Sequence, residues 1–207
     1  DGTCNAAGSR DSSAFAADGS LRPAFFRRAA SIIERADELG MVVFLQLFYP
    51  DISTLIFDGE NSAVIAAADN AIDWLAIRNY TNVVLDVCNE CDTCRVIAGE
   101  CAGARGKLEA LAWSSHGGHG ALVGRVRRRL RAYGLTIPVS TSYLGGYLPG
   151  DSDMEDFDYI NIHGNNLWQW QDGALVNMIE RLRGKPAFQE RPRPIVMSED
   201  DGLCSSD

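Results

Sequence analysis

Two glutamates stand at the ends of compact apolar segments and are the residues best suited to chemistry. Glu90 ends the segment 83–90, and Glu199 ends the segment 194–199. Apolar runs of this kind are typical of strands buried on both faces of a parallel sheet. The carboxyl ends of such strands are where α/β barrels build their active sites, so the two side chains are expected to meet. The pattern therefore predicts paired-carboxylate chemistry of the kind that glycosidases use.

Cleavage of a glycosidic bond with retention of configuration needs two carboxyl groups with different tasks. One protonates the leaving oxygen, and the other attacks the anomeric carbon from a distance of about 5–5.5 Å. Glu90 and Glu199 satisfy this requirement if their strands end at the same edge of the sheet. The interpretation of each glutamate alone as a salt-bridged structural residue stays open.

The elements that must position the glutamates alternate between helix and strand. Pro23 begins a helix that Gly40 ends, and apolar residues recur at helical spacing in three later segments. The predicted strands cover 41–48, 83–90, 137–142, 157–163 and 194–198, and the predicted helices cover 23–39, 61–78, the segment around Leu122, Val126 and Leu130, and 173–183. Repeated βα units predict a parallel sheet with right-handed crossovers. There is no internal repeat, so residues 1–207 are expected to form a single domain.

Composition excludes several classes of partner. The chain has 207 residues, of which 46% are hydrophobic, which is enough for one sizeable core. A net charge of −9 argues against a nucleic-acid partner, because binding to phosphates needs a basic face. No apolar run approaches the roughly 20 residues that span a bilayer, so no membrane partner is expected. The polar N-terminus lacks a signal-peptide pattern and an initiator Met, and we expect the interior of a longer protein or a processed product.

Four short motifs, in this order along the chain, carry a resemblance to a known family. They are Asn89-Glu90-Cys91-Asp92, residues 141–146, His163-Gly164-Asn165 and Ser198-Glu199-Asp200-Asp201. Over about residues 20–203 the chain resembles the clan A glycoside hydrolases, which are retaining (β/α)8 barrels related to cellulases. The resemblance implies an α/β fold of the (β/α)8 TIM-barrel type, incomplete, with strands three to seven present. It also favours a secreted or periplasmic location, and the open sheet edges of a partial barrel are expected to associate with another chain.

The resemblance also implies a role for each residue of the site. Glu90 corresponds to the acid/base and Glu199 to the nucleophile, acting on a carbohydrate substrate. Asn89 would bind the 2-hydroxyl group of the sugar, and His163 would orient Glu199. Glu90 must then hold a proton near neutrality, which burial and a neighbouring negative charge favour.

Further side chains are candidates for substrate binding. Trp168 and Trp170 lie in a polar segment after His163, and aromatic faces stack on the CH groups of sugars. Packing of these tryptophans against a barrel rim is an equally weighted interpretation. Gln46 and Tyr49 stand at the end of the strand 41–48 and are predicted to donate hydrogen bonds to the sugar, although a strand tip can also simply be solvated.

Six cysteines include the cluster Cys88-x2-Cys91-x2-Cys94-x6-Cys101, which superficially resembles a set of metal ligands. The bacterial ferredoxin pattern has three residues before its fourth cysteine and a proline after it, whereas six residues and Ala102 stand here. A disulfide between Cys94 and Cys101, or free thiols that point into the core, is the favoured interpretation. Neither a metal nor a cofactor is predicted.

An arginine-rich stretch surrounds the apolar positions of the third predicted helix, at Arg125, Arg127, Arg128, Arg129 and Arg131. It could form a patch for an anionic ligand, but the solvated face of an amphipathic helix is the favoured interpretation.

Three functional hypotheses follow from these observations. The first is a glycosidase that uses Glu90 and Glu199, and the second is an inactive, carbohydrate-binding relative whose incomplete barrel no longer positions its site. The third is a metal or redox module built on the cysteines.

Overall fold

The computed structural model describes residues 13–48, 62–90, 119–165 and 174–199. The helices are α1 Pro23–Glu38, α2 Ser62–Ile77, α3 His119–Ala132, α4 Asp151–Met154, α5 Ala174–Arg183 and α6 Pro186–Glu190. The strands are β1 Val43–Phe48, β2 Val83–Cys88, β3 Val139–Ser140, β4 Ile160–His163 and β5 Ile195–Glu199. Within these segments, none of the helices combines the length and the apolar character that crossing a bilayer requires.

The strands form two small parallel sheets. The first sheet has the order β1-β2-β3, and the second pairs β4 with β5. In the first sheet Val43 lies opposite Val83 and Phe48 opposite Cys88. In the second, the register shifts after Ile162, and the last pair is His163 with Glu199. The carboxyl ends of the two long pairs therefore carry the predicted site residues.

The prediction of a (β/α)8 TIM-barrel type fold with strands three to seven is wrong. Five strands divide into two sheets, and no ladder joins β3 to β4 in the part of the chain that the structure describes. The cause lies at Val139, whose N–H donates to Oδ2 of Asp158 at 3.1 Å, while the N–H of Asp158 donates to the carbonyl of Val139 at 2.9 Å. A side chain thus satisfies a backbone group that a neighbouring strand would satisfy in a barrel.

Burial separates the inner strands from the outer ones. All residues of β4 and all but one of β2 are buried, as predicted for strands covered on both faces. The same prediction is wrong for β1 and β5, where Phe44 is 36% exposed and Met197 is 44% exposed. These are outer strands, and one face of each is not fully covered by the described residues. An apolar run therefore predicts that a strand forms, but it does not predict which faces of the strand are buried.

Helix α2 supplies much of the core behind the first sheet. Its buried face consists of Val64, Ala67, Ala68, Ala71, Ile72 and Leu75. Helix α1 begins at Pro23 and is followed by Gly40 at a φ of 67°, the left-handed conformation typical of a residue that ends a helix. Phe26, Trp74 and Tyr80 pack edge to face between α1, α2 and the following turn. This packing holds the sheet from one side.

The arginines of α3 pair with acidic residues of the same protein. Arg125 forms a bidentate ion pair with Asp69 of α2, at 2.7 and 3.0 Å, and Arg129 binds Asp73 in the same way at 2.6 and 2.7 Å. The hydrogen bond from Arg129 is the main reason that the pKa of Asp73 is lowered. These two arginines connect α3 to α2, so they form neither an anion-binding patch nor a merely solvated face.

Candidate functional site

Glu90 is held at the carboxyl end of β2 in an unusual backbone conformation. Its φ is 49°, in the left-handed region that non-glycine residues rarely adopt. Its N–H donates to Oγ of Ser142 at 3.3 Å, and the N–H of the preceding Asn89 donates to the carbonyl of Phe48 at 2.9 Å. Such outliers persist only where the surroundings impose them, and they concentrate at functional sites.

Glu199 ends β5 and lies beside the end of β4. Its carbonyl accepts a hydrogen bond from Gly164 at 2.8 Å, and its side chain is 35% exposed, compared with 13% for that of Glu90. A carboxylate oxygen of Glu90, one of Glu199 and Nδ1 of His163 all lie within 4.8 Å of one another. The fold thus brings together the two glutamates singled out from the sequence.

Three donors converge on one oxygen of Glu90. Its Oε1 lies 2.8 Å from Nδ1 of His163, 3.2 Å from the N–H of Gly145 and 3.4 Å from Nδ2 of Asn165. Nδ2 of Asn165 also donates to Oε2 of Glu199 at 3.1 Å. The Asn165 amide therefore bridges the two carboxyl groups.

His163 lies below the carboxyl pair and is fully buried. Its Nδ1 is closer to Glu90, at 2.8 Å, than to Glu199, at 3.7 Å, so its main described contact is with Glu90. Burial by itself lowers the pKa of the His163 imidazole. The hydrogen bond with Glu90 and the charges of Glu199, Glu90 and Asp86 outweigh burial and raise the pKa above its ordinary value.

A raised pKa for His163 predicts a pH-dependent contribution to stability. A group whose pKa is higher in the folded state stabilises the fold fully below its unfolded pKa of about 6.5 and loses that contribution as the pH rises through the folded value. We therefore expect the difference in unfolding free energy between the protein and its His163→Gln variant to be larger at about pH 6 than at about pH 9. Urea denaturation at both pH values measures it. A difference that is constant or that grows with pH contradicts the prediction, and an exposed Glu180→Gln variant serves as control.

A third carboxylate, that of Asp86, is buried and supports the site. Asp86 of β2 is fully buried and accepts hydrogen bonds from the N–H and Oγ of Ser142, at 3.1 and 2.8 Å. It also accepts from Nε2 of Gln46 and from Nδ2 of Asn161, both at 3.2 Å. Burial raises the pKa of Asp86, and the hydrogen bonds from Ser142 and Gln46 partly oppose this. Since Asn161 belongs to β4, Asp86 connects the two sheets directly beneath the glutamates.

The same network reaches two predicted substrate-binding residues. Nε2 of Gln46 donates to Oδ1 of Asn89 at 2.7 Å, and Asn89 is only 3% exposed. Gln46 and Asn89 thus bind each other and fix the segment that precedes Glu90, while their predicted contacts with a sugar stay a prediction. The predicted substrate-binding residues Tyr49, Trp168 and Trp170 lie outside the described residues.

The structure changes the interpretation of one cysteine, Cys88. Cys88 is 1% exposed and is disulfide-bonded, so a free thiol pointing into the core is wrong for this residue. A sulfur in a disulfide is not a thiolate and does not serve as a metal ligand. The other cysteines, and with them the predicted Cys94–Cys101 disulfide, lie outside the described residues.

A cavity of about 480 Å³ opens at the opposite, amino end of the strands and provides a second place for a ligand. Its lining is mostly apolar and includes Val84, Tyr159 and Val196. Asp158 is the one carboxylate among its described lining residues, and it forms an ion pair with Arg127 at 3.1 Å. The described lining residues of this cavity therefore contain no carboxylate pair, whereas the carboxyl end of the strands has one.

Comparison with known proteins does not assign a function to the site. No protein-family model, curated protein or solved structure matches the chain. The function is therefore inferred from the side chains that the fold brings together.

Five residues of the site were given no role by the sequence, although three of them lie in the motifs that carry the resemblance. They are Asp86, Ser142, Gly145, Asn161 and Asn165. A signal existed for Asp86, because an acidic residue inside an apolar strand has to be paired or hydrogen-bonded. Asn165 lies two residues after the strand-end His163, where a polar side chain can reach the same sheet edge. Gly145 lies in the motif 141–146, but the motif gave it no role, because its importance comes from a tertiary contact.

Proposed function

We propose that the protein is a retaining glycoside hydrolase that acts through Glu90 and Glu199. The observation that carries the proposal is the separation of the two carboxyl groups, whose nearest ligand oxygens lie within 4.8 Å. This proximity is closer to the separation of about 5–5.5 Å used by retaining enzymes than to the roughly 6.5–9.5 Å of inverting enzymes. The resemblance of the four strand-end motifs to clan A enzymes supports the same assignment.

The first step forms a covalent intermediate. Glu90 donates a proton to the glycosidic oxygen, while the carboxylate of Glu199 attacks the anomeric carbon. The bond between that carbon and the leaving oxygen breaks, and an ester between the sugar and Glu199 forms. The leaving group departs as an alcohol with the proton from Glu90.

The second step returns both residues to their starting state. Glu90, now a carboxylate, accepts a proton from a water molecule whose oxygen attacks the anomeric carbon. The ester bond breaks, Glu199 leaves as a carboxylate, and Glu90 regains its proton. The free sugar carries the same anomeric configuration as the substrate.

The surrounding donors support both steps. Asn165 donates to Oε2 of Glu199 at 3.1 Å and so stabilises the negative charge that this group carries before attack and after release. The N–H of Gly145, the amide of Asn165 and the contact with His163 hold the carboxyl group of Glu90 in place for the exchange of its proton. Pre-positioned groups of this kind lower the barrier because no reorganisation is needed during the reaction.

The anomeric configuration of the first product tests the proposal. We expect that an activated aryl glycoside from a panel of sugars is hydrolysed and that proton NMR detects the retained anomer before mutarotation, because two inversions restore the configuration. An inverted first product contradicts the mechanism.

A second candidate function is carbohydrate binding without catalysis. It is favoured by the partial exposure of Phe44 in β1 and Met197 in β5, two apolar side chains that the described residues do not cover. Binding of sugars without turnover of any glycoside in the panel would select this candidate over the hydrolase.

A further inference from the structure

We propose that Glu90, His163 and Glu199 form a binding site for a zinc ion, and that zinc bound there inhibits the hydrolase. The binding site stands on the geometry alone, whereas its inhibitory effect rests on the proposed function. Zinc accepts imidazole nitrogen and carboxylate oxygen as ligands, which are the two donor types that meet here.

The distances suit a tetrahedral ion. Zinc bonds to nitrogen and oxygen of about 2.1 Å place two ligand atoms roughly 3.4 Å apart. The distances from Nδ1 of His163 to Oε1 of Glu90, 2.8 Å, and to Oε2 of Glu199, 3.7 Å, lie on either side of that value. An oxygen of Glu90 and one of Glu199 lie within 4.8 Å of each other. The side chain of Glu199 is 35% exposed, so it can rotate to bring its oxygen to the roughly 3.4 Å that a tetrahedral ion requires.

The buried imidazole presents one of its two nitrogens to the carboxyl pair. His163 is fully buried, and Nε2 has no hydrogen-bond partner among the residues that the structure describes. The ring therefore makes its described polar contacts through Nδ1 alone, and both are directed at the two carboxyl groups. When zinc binds Nδ1, the proton between Nδ1 and Oε1 is released, since metal ligands must be deprotonated.

The ligand count indicates an open site. Three protein ligands leave the fourth tetrahedral position to water, as in zinc sites that exchange their ligands. Two carboxylates and a neutral imidazole carry a charge that balances a divalent cation. Zinc bound in this way lies between the two carboxyl groups and neutralises their charge, so Glu199 becomes a weaker nucleophile and Glu90 a weaker proton acceptor in the second step.

Zinc titration of the chelator-treated protein tests binding without any substrate. We expect one zinc ion per chain by calorimetry, with an affinity that falls roughly tenfold or more in Glu199→Gln and is unchanged in Glu180→Gln. Glu180 is an exposed residue of α5 and is a matched control, because the substitution removes the same charge outside the ligand set. The absence of stoichiometric binding, or equal affinities of the protein and Glu199→Gln, overturns the proposal.

Cobalt substitution separates this site from the cysteines. Cobalt bound through nitrogen and oxygen gives visible d–d absorption without the near-ultraviolet band of thiolate-to-cobalt charge transfer. A thiolate band that saturates at one cobalt per chain would place the ion on cysteines and overturn the proposal. Hydrolysis by the chelator-treated protein is then measured with and without zinc. Binding without any hydrolysis leaves the zinc site standing and removes only the hydrolase, while hydrolysis unaffected by saturating zinc overturns the inhibition.

Discussion

Replacement of Glu199 by glycine is expected to lower kcat/KM for an aryl glycoside by roughly 10⁴-fold or more, because no carboxylate remains to form the covalent intermediate. The side chain of Glu199 is 35% exposed, so its removal leaves the core intact. The isosteric Glu199→Gln variant removes the charge without opening a cavity and is expected to lose comparable activity. Turnover of either variant at the rate of the parent protein would contradict the role of Glu199.

Azide distinguishes the roles of the two glutamates. In Glu199→Gly, azide enters the space of the lost carboxylate and attacks the anomeric carbon directly, which gives a glycosyl azide of inverted configuration. In Glu90→Gly, the covalent intermediate still forms on Glu199 and azide then displaces it, which gives a glycosyl azide of retained configuration. NMR determines the anomeric configuration of the two glycosyl azides and so tests which glutamate is the nucleophile. The opposite pair of configurations would mean that the roles of Glu90 and Glu199 are exchanged. Glu180→Gln, with parental activity and no azide product, is the control.

Substitution of Gly145 by alanine is expected to have the second largest effect, although this residue has no side chain. A Cβ at this position would collide with both Oδ1 and the backbone oxygen of Asn165. Asn165 would have to move, and its amide bridges Glu90 and Glu199. Because a displacement of about 1 Å at a catalytic group lowers activity by roughly 100-fold, we expect a loss of that order in kcat, with a loss of about 1–3 kcal/mol in unfolding free energy from overpacking.

Two matched variants make this prediction specific. Gly184→Ala places its Cβ 3.5 Å from the nearest neighbouring atoms, which is an ordinary contact, and is expected to leave both activity and stability unchanged. Asn165→Ala removes the bridging amide without any collision, so it should lower kcat with a smaller change in stability than Gly145→Ala. Steady-state kinetics and urea denaturation of the three variants measure these effects. Parental kcat in Gly145→Ala would show that the carboxyl groups do not depend on this contact.

Secondary structure followed from the sequence where one element determines its own pattern. Helix α2 was predicted because Val64, Ala68 and Leu75 recur at helical spacing, and β2 because an apolar run ends in polar residues. The assembly of the strands did not follow. Val139 pairs with the side chain of Asp158 where a barrel would continue its ladder, and no local periodicity encodes that contact.

The chemistry of the site was partly visible in the sequence, for a related reason. Glu90, Glu199 and His163 could be predicted because strand ends in a parallel arrangement meet at one edge, whatever the sheet does elsewhere. Asn165 and Gly145 act through contacts between segments that follow different strands. Such contacts depend on loop geometry, which the periodicity of apolar residues does not determine.

Because the backbone of Glu90 is left-handed, selection for stability and selection for the proposed function favour different residues at this position. At a φ of 49°, glycine or asparagine is accommodated with less strain than glutamate. A lineage that kept only the folded scaffold would therefore gain stability by replacing this side chain, and one that kept the activity could not. Under the proposed mechanism, the residue at position 90 of a related chain would distinguish a catalyst from a protein that is only folded.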